Sequence, residues 1–161
     1  MKLHILTKNE KKEIEDKLNE QFGIITIPGL LIKSGAERIF LFQGNLDEKK
    51  ILELAELTQI ERVGIYLAKI FIDKEGKEQI RLSIEGSQIL GSQATKNIFE
   101  LDDKLVQEWM QGQDLQIKTS KKGFLIIKYK EDFMGTGKAS EEKISNFIPK
   151  SRRLKSRSII Q

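Results

Sequence analysis

A glycine-rich stretch that ends in a lysine, Gly135-Thr136-Gly137-Lys138, has residue types that bind phosphate in other proteins. A phosphate-binding loop needs a further glycine five residues before its Gly-Lys pair and a hydroxyl residue directly after the lysine. Asp132 and Ala139 occupy these two positions, so the sequence excludes a nucleotide-binding loop. The stretch instead indicates a bend within a strand, where small residues let another backbone, such as that of RNA, approach closely.

A second candidate for chemistry is the basic block, residues 143–161, which contains six cations and no acidic residue. A terminal block of one sign is typical of polyanion binding, and its alternative is a solvated tail. Apolar residues interleave with the cations, which indicates that the block docks partly against the protein while its charged groups stay in water. These apolar residues are Ile144, Phe147, Ile148 and Leu154.

Few residues in the chain are suited to enzyme chemistry. Cysteine is absent and His4 is the single histidine, which excludes a cysteine nucleophile, a thiolate metal site and a multi-histidine zinc site. The acidic pairs Asp102-Asp103 and Glu141-Glu142 are adjacent in sequence, and adjacent residues on a helix do not face each other. We therefore expect no catalytic residue, no metal site, no cofactor and no enzymatic activity.

Three helices are predicted from caps and apolar spacing. Thr7 and Glu10 form a capping box for a helix that runs to about residue 21 and ends at Gly23. Asn45 or Asp47 caps a second helix, whose apolar face consists of Ile51, Leu52 and Ala55. Asp102 caps a third, in which Leu105, Val106 and Trp109 share one side. Trp109 could stack on a base, but its spacing from Leu105 favours a core position.

Short strands fill much of the remaining chain. The segment 62–72 is β-rich and almost wholly apolar, which predicts a long strand buried on both faces. Helices and strands alternate before residues 73–79, and short strands and turns dominate after them, so we expect a domain boundary there. A short helix is predicted over residues 87–90. Strands are predicted over residues 24–27, 30–33, 38–42, 62–72, 79–84, 97–101, 115–117 and 124–129.

The composition indicates a folded protein. Hydrophobic residues make up 39% of the 161 residues, enough to build a core. No apolar run reaches the ~18 residues that cross a bilayer, and no signal peptide is visible. We therefore expect a cytoplasmic protein without a membrane partner.

The most specific resemblance lies in the C-terminal part of the chain. Residues 133–138, followed by Asn146-Phe147-Ile148-Pro149-Lys150-Ser151-Arg152-Arg153, resemble the signature of a PUA-like RNA-binding domain. They are similar to the version appended to Nop/Sun-type rRNA cytosine-5 methyltransferases. Residues 80–85, 98–101 and 110–115 resemble the earlier strands and helix of that fold. The usual PUA glycine loop is represented only by Gly91-Ser92-Gln93.

The N-terminal part is similar in pattern to the pre-PUA domain of archaeal-type ribosome-biogenesis proteins of the Nip-seven kind. Together the two resemblances imply an α+β fold. They imply an N-terminal α/β pre-PUA-like domain over residues 1–76 and a small PUA-like mixed β pseudo-barrel over residues 77–161. The methyltransferases use cysteine nucleophiles, and this chain has none, so the resemblance concerns their RNA-binding extension.

The function that this resemblance implies is non-catalytic recognition of structured rRNA during ribosome biogenesis or rRNA modification. The alternative is a protein–protein adaptor that docks on a ribosome-assembly factor or an rRNA methyltransferase. We expect phosphates to be held by lysines and arginines, and the sugar–phosphate chain to approach the backbone at the two glycines. The predicted RNA-binding residues are Lys138, Lys143, Lys150, Arg152, Arg153, Lys155, Gly135, Gly137, Gln93 and Lys96.

Overall fold

The computed structural model describes residues 3–57 and 63–155. These residues form two sheets and four α-helices, which confirms the predicted α+β class. The first sheet is antiparallel, in the order β1 (Leu3–Ile5), β2 (Leu30–Ser34), β3 (Arg38–Phe42), β4 (Ile65–Ile72) and β5 (Glu78–Leu82). The second is curled into a half-barrel, in the order β6 (Ile98–Glu100), β7 (Gly123–Tyr129), β8 (Asp132–Ala139) and β9 (Ile144–Ser145). In it β6 and β7 are parallel, and the other pairs are antiparallel.

The helices begin where side-chain caps satisfy free backbone amides. Thr7 and Glu10 form the predicted capping box of α1 (Lys8–Phe22), and Gly23 ends it in the left-handed conformation. Asp102 accepts two backbone amides at the start of α4 (Asp103–Met110). The other two helices are α2 (Glu48–Leu57) and α3 (Ile84–Leu90). None of the helices within the described ranges is long and apolar enough to span a membrane.

The prediction of a strand over residues 24–27 is wrong, although Ile24 and Ile27 are buried. The amides of this segment bond to side chains and to the end of α1 instead of to a neighbouring strand. The side-chain oxygen of Gln93 accepts the amides of residues 25 and 26, and a Glu15 carboxylate oxygen accepts the amide of Ile27 at 2.8 Å. Apolar residues can therefore be buried here without strand pairing.

Three further predictions need correction. The long strand begins at Ile65, whose side chain is exposed, and Arg62 lies outside the described residues. Residues 115–117 contribute one isolated bridge, from Leu115 to Ile144. Ile84 begins α3 instead of ending a strand, because the Ser83 hydroxyl caps this helix. At Ile84 this local cap outweighs the strand propensity of isoleucine.

The core connects the two sheets. Its largest cluster joins buried residues of the first sheet, such as Leu31 and Ile80, to Phe124 and Ile126 of the second. The hairpin of β4 and β5 spans residue 76, where the first predicted domain ends, because the two strands pair from Ala68–Leu82 to Ile72–Glu78. The division into domains 1–76 and 77–161 stays a prediction.

Trp109 is the centre of a second buried cluster within the half-barrel. Its side chain is fully buried, as its helical spacing predicts, and its indole nitrogen donates to the Met134 carbonyl at 3.0 Å. This bond ties α4 to β8. It holds the helix against the strand that carries Gly135, Gly137 and Lys138.

Candidate nucleic-acid interface

Lys138 is held at the junction of the two sheets by aromatic rings. Its ammonium nitrogen lies 4.9 Å from the ring centroid of Phe71, on β4, and 5.8 Å from that of Phe124, on β7. These distances are those of cation–π contacts. It forms no ion pair with any residue that the structure describes. Its positive charge is therefore positioned without being neutralised.

Arg81 occupies an equivalent position that the sequence analysis missed. Its guanidinium carbon lies 4.5 Å from the ring centroid of Phe147, and Arg81 likewise has no ion-pair partner in the described part of the chain. The rings of Phe71, Phe124 and Phe147 form a row, with successive centroids 5.7 and 6.2 Å apart. We call this group the junction cluster: Phe71, Arg81, Phe124, Lys138 and Phe147.

The first part of the basic block is docked, as its interleaved apolar residues predict. Ile144 is fully buried and Ile148 nearly so. Three of the predicted RNA-binding cations here already have protein partners. Lys143 pairs with Asp114 at 2.9 Å, Arg152 pairs with Glu85, and the Nε of Arg153 donates to the Ile148 carbonyl at 2.9 Å. These bonds orient the chain. The two ion pairs also reduce the positive charge that Lys143 and Arg152 offer to a ligand, whereas Arg153 keeps its charge and loses one donor.

Asp114 is the main anchor of the basic block. Its carboxylate accepts the ammonium of Lys143 and the backbone amide of Asn146, each at 2.9 Å. These two hydrogen bonds, the one from Lys143 being the larger cause, hold the pKa of Asp114 below its ordinary value. The Asn146 side chain in turn donates to the carbonyls of Trp109 and Gln113. The block is thus fastened to the end of α4.

Lys150, Lys155 and Lys96 are exposed. Lys150 and Lys155 have no ion pair among the described residues. Lys96 lies near Glu20, whose pKa is lowered chiefly by Lys77 and to a small extent by Lys96. The exposed cations of the basic block are therefore the ones best placed to contact phosphate. Residues 156–161 of the block lie outside the described part.

The remaining predicted residues have contacts within the protein. Gln93 uses both ends of its side-chain amide on residues 25 and 26. Gly135 and Gly137 are buried, and the Gly135 amide donates to the Ser87 hydroxyl at 2.8 Å. A Cβ on Gly137 would lie 2.6 Å from Ile144 Cγ2. These contacts favour a packing role for both glycines, and their contact with RNA stays a prediction.

A cleft lies beside the junction cluster and connects it to the docked part of the basic block. Its volume is about 100 Å³. Residues on its lining come from both sheets and include Tyr66, Arg81, Glu85, Phe147 and Arg152. Within residues 3–57 and 63–155, no group of three or more histidine, aspartate and glutamate side chains is placed to hold a metal ion. The arrangement suits binding of an anionic polymer that also offers flat apolar groups.

Comparison with known proteins agrees with this arrangement. Residues 96–154 match the family described as the methyltransferase RsmF PUA domain. These residues include β6 to β9, α4 and the docked part of the basic block. The chain therefore contains a PUA-like domain, and the C-terminal resemblance is confirmed. In particular, the match supports the resemblance of these residues to the PUA-like extension of Sun/Nop-type rRNA methyltransferases.

Similarity to individual relatives extends into the N-terminal half. Proteins named ribosomal RNA small subunit methyltransferase F are 30% identical over 146 residues in Aeromonas salmonicida and 27% over 144 residues in Vibrio vulnificus. The one from Psychromonas ingrahamii is 25% identical over 146 residues. The alignments cover 86%, 89% and 89% of this chain, which spans 28%, 28% and 29% of the relatives' lengths. The likeness of residues 1–76 to a pre-PUA domain stays a prediction.

Proposed function

We propose that this chain is a non-catalytic RNA-binding module that recognises structured rRNA during ribosome biogenesis or rRNA modification. The observation that carries the proposal is the pair of unneutralised cations, Lys138 and Arg81, held on aromatic rings at the junction of the sheets. The match of residues 96–154 to the PUA domain of an rRNA methyltransferase supports RNA as the polyanion. A cytoplasmic location is part of the same proposal.

The proposed binding involves two groups of cations: those without a protein partner and those that already have one. The exposed Lys150 and Lys155, with Lys138, hold phosphates and set the orientation of the RNA, because phosphate contacts position a protein without reading sequence. Lys143, Arg152 and Arg153 shape the docked block through their protein partners, and each keeps further N–H donors for the RNA. Lys96 extends the surface beyond the junction cluster as a weaker contributor.

The test is the affinity for a labelled rRNA fragment measured across a range of salt concentrations. If about four phosphates are neutralised, log affinity falls against log salt with a slope of about −3 to −4. Lys138→Ala with Lys150→Ala should weaken binding and flatten the slope by about 1.4–1.8, because two counterion-releasing contacts are lost. An unchanged slope in this double variant, or no binding by the wild type at low salt, would contradict the proposal.

A matched control is available on α2. Lys49 and Lys50 are exposed and form no ion pair within the described ranges, so Lys49→Ala with Lys50→Ala removes the same charge from a surface outside the proposed interface. This control should keep the wild-type slope. Equal loss in both double variants would mean that net charge alone drives binding.

The adaptor function has its own supporting observation. Three leucines of α2 have exposed side chains: Leu52 at 45%, Leu54 at 42% and Leu57 at 83%. Large exposed apolar side chains that cluster on one element are typical of protein-binding surfaces. Calorimetric titration with a purified rRNA methyltransferase, using Leu54→Ser with Leu57→Ser as the variant, tests this function separately from RNA binding.

A further inference from the structure

We propose that the cleft beside the junction cluster binds one unpaired nucleobase that carries an exocyclic amino group. This inference rests on the proposed RNA-binding function and extends it from phosphate contact to recognition of a base. The cleft receives residues from β4 and β5, from α3 and from the basic block. An RNA that follows the exposed cations of the block therefore passes its opening.

The inner surface of the cleft suits the flat face of a base. Trp109, Leu82 and Ile148 line it and are almost completely buried. Phe147 forms part of the wall, and the guanidinium of Arg81 lies against its ring at 4.5 Å. Unpaired bases in RNA commonly stack on aromatic rings and on arginine guanidinium planes. The outer face of the Arg81 guanidinium thus provides a platform that is already held in position.

The rim of the cleft carries a donor and an acceptor side by side. Arg152 and Glu85 form an ion pair there, with 45% and 37% of their side chains exposed. A guanidinium donates to base oxygens and ring nitrogens, whereas a carboxylate accepts from an amino group such as the N4 of cytosine. The pair can therefore bind the edge of a base that offers both an acceptor and an amino donor.

The presence of Glu85 also favours a base over a phosphate as the ligand of the cleft. A carboxylate at the rim repels a phosphate and would leave Arg152 divided between two anions. An amino group removes this conflict, because it donates to the carboxylate without displacing the ion pair. Uracil lacks an exocyclic amino group, so it should bind the cleft less well than adenine, cytosine or guanine.

The experiment uses a hairpin RNA with one loop nucleotide replaced in turn by 2-aminopurine, an abasic site or uracil. We expect the fluorescence of 2-aminopurine to change on binding, because the base leaves the loop and stacks on the outer face of the Arg81 guanidinium. The abasic RNA should bind the wild-type chain at least about fivefold more weakly, which is the low end of the effect of losing one stacked base. The slope of log affinity against log salt should stay the same.

Conservative variants assign the effect to the cleft. Arg81→Lys keeps the charge and removes the planar group, and Phe147→Leu keeps an apolar side chain. Both variants should reduce the difference in affinity between the intact and abasic RNAs to about twofold or less. Glu85→Gln should reduce the difference in affinity between RNAs that carry uracil and those that carry an amino-bearing base. Lys49→Ala with Lys50→Ala should leave all these differences unchanged.

The outcomes distinguish this inference from the proposed function. Salt-dependent binding with equal affinity for intact and abasic loops at every position would overturn base recognition and leave the RNA-binding proposal standing. Absence of any binding at low salt would overturn both. Because the abasic comparison uses the wild-type protein, it decides the question even if a variant fails to fold.

Discussion

Replacing Gly137 with alanine tests whether the glycine-rich stretch serves packing or contact with RNA. Gly137 is buried on β8, opposite Leu125 of β7. A Cβ there would lie 2.6 Å from Ile144 Cγ2, 3.0 Å from Trp109 Cη2 and 3.1 Å from the Ser145 carbonyl oxygen. All three distances are too short for an unstrained contact, so the half-barrel must shift to accept the methyl group.

The expected loss of stability follows from two opposing effects. Overpacking a buried site costs about 1–3 kcal/mol, and replacing glycine in a strand returns about 0.5–1 kcal/mol through the reduced flexibility of the unfolded chain. The net free energy of unfolding should fall by about 0–2.5 kcal/mol, with a middle value of about 1 kcal/mol. For a chain of this size the middle value corresponds to a decrease in Tm of about 2–4 °C. Thermal and urea unfolding measure the change directly.

Ile144→Ala provides the matched control for Gly137→Ala. It removes the atom that the new methyl group would meet first, so Gly137→Ala should cost less in the Ile144→Ala background, with a coupling of at least about 0.5 kcal/mol. The affinity of folded Gly137→Ala for RNA should equal that of the wild type. An unchanged Tm together with weaker RNA binding would refute the packing argument and make the glycine an RNA contact.

Three further perturbations have defined outcomes. Because the pKa of Asp114 lies below its ordinary value of 3.8, its contribution to stability is present above that value and is lost as the pH falls through the lowered pKa. Asp114→Asn should therefore lower the Tm at neutral pH and make the Tm fall less steeply in acid. Thermal unfolding curves at several pH values measure both effects, and a wild-type pH profile in the variant would contradict the prediction. Arg152→Ala with Arg153→Ala should weaken RNA binding and also lower the Tm, because both arginines bond to the protein; an unchanged Tm would make them a purely exposed patch. Gln93→Ala should destabilise the chain by about 0.5–1.5 kcal/mol, because it removes hydrogen bonds to the exposed residues 25 and 26, whereas equal urea midpoints for variant and wild type would contradict that role.

Features that depend on near neighbours, or on the complete absence of a residue type, can be predicted from the sequence alone. The capping box of Thr7 and Glu10 joins residues three positions apart, and Asp102 accepts amides two and three positions away, so these helix starts are visible without a fold. The helical spacing of Trp109 from Leu105 likewise predicts its core position. The lack of cysteine excludes thiolate chemistry in any conformation.

Which polar and charged groups have partners inside the protein depends on the three-dimensional fold. Gln93 accepts the amides of Ile25 and Thr26, which lie 68 and 67 positions earlier in the sequence. Arg152 pairs with Glu85 across a separation of 67 positions. Arg81 reaches the ring of Phe147 because the hairpin of β4 and β5 packs on the second sheet. No local pattern encodes such pairings, because burial in the core brings these segments together. The sequence identifies a cation as a candidate RNA-binding residue. Its neighbours in the folded protein then determine whether its charge is free to bind a phosphate.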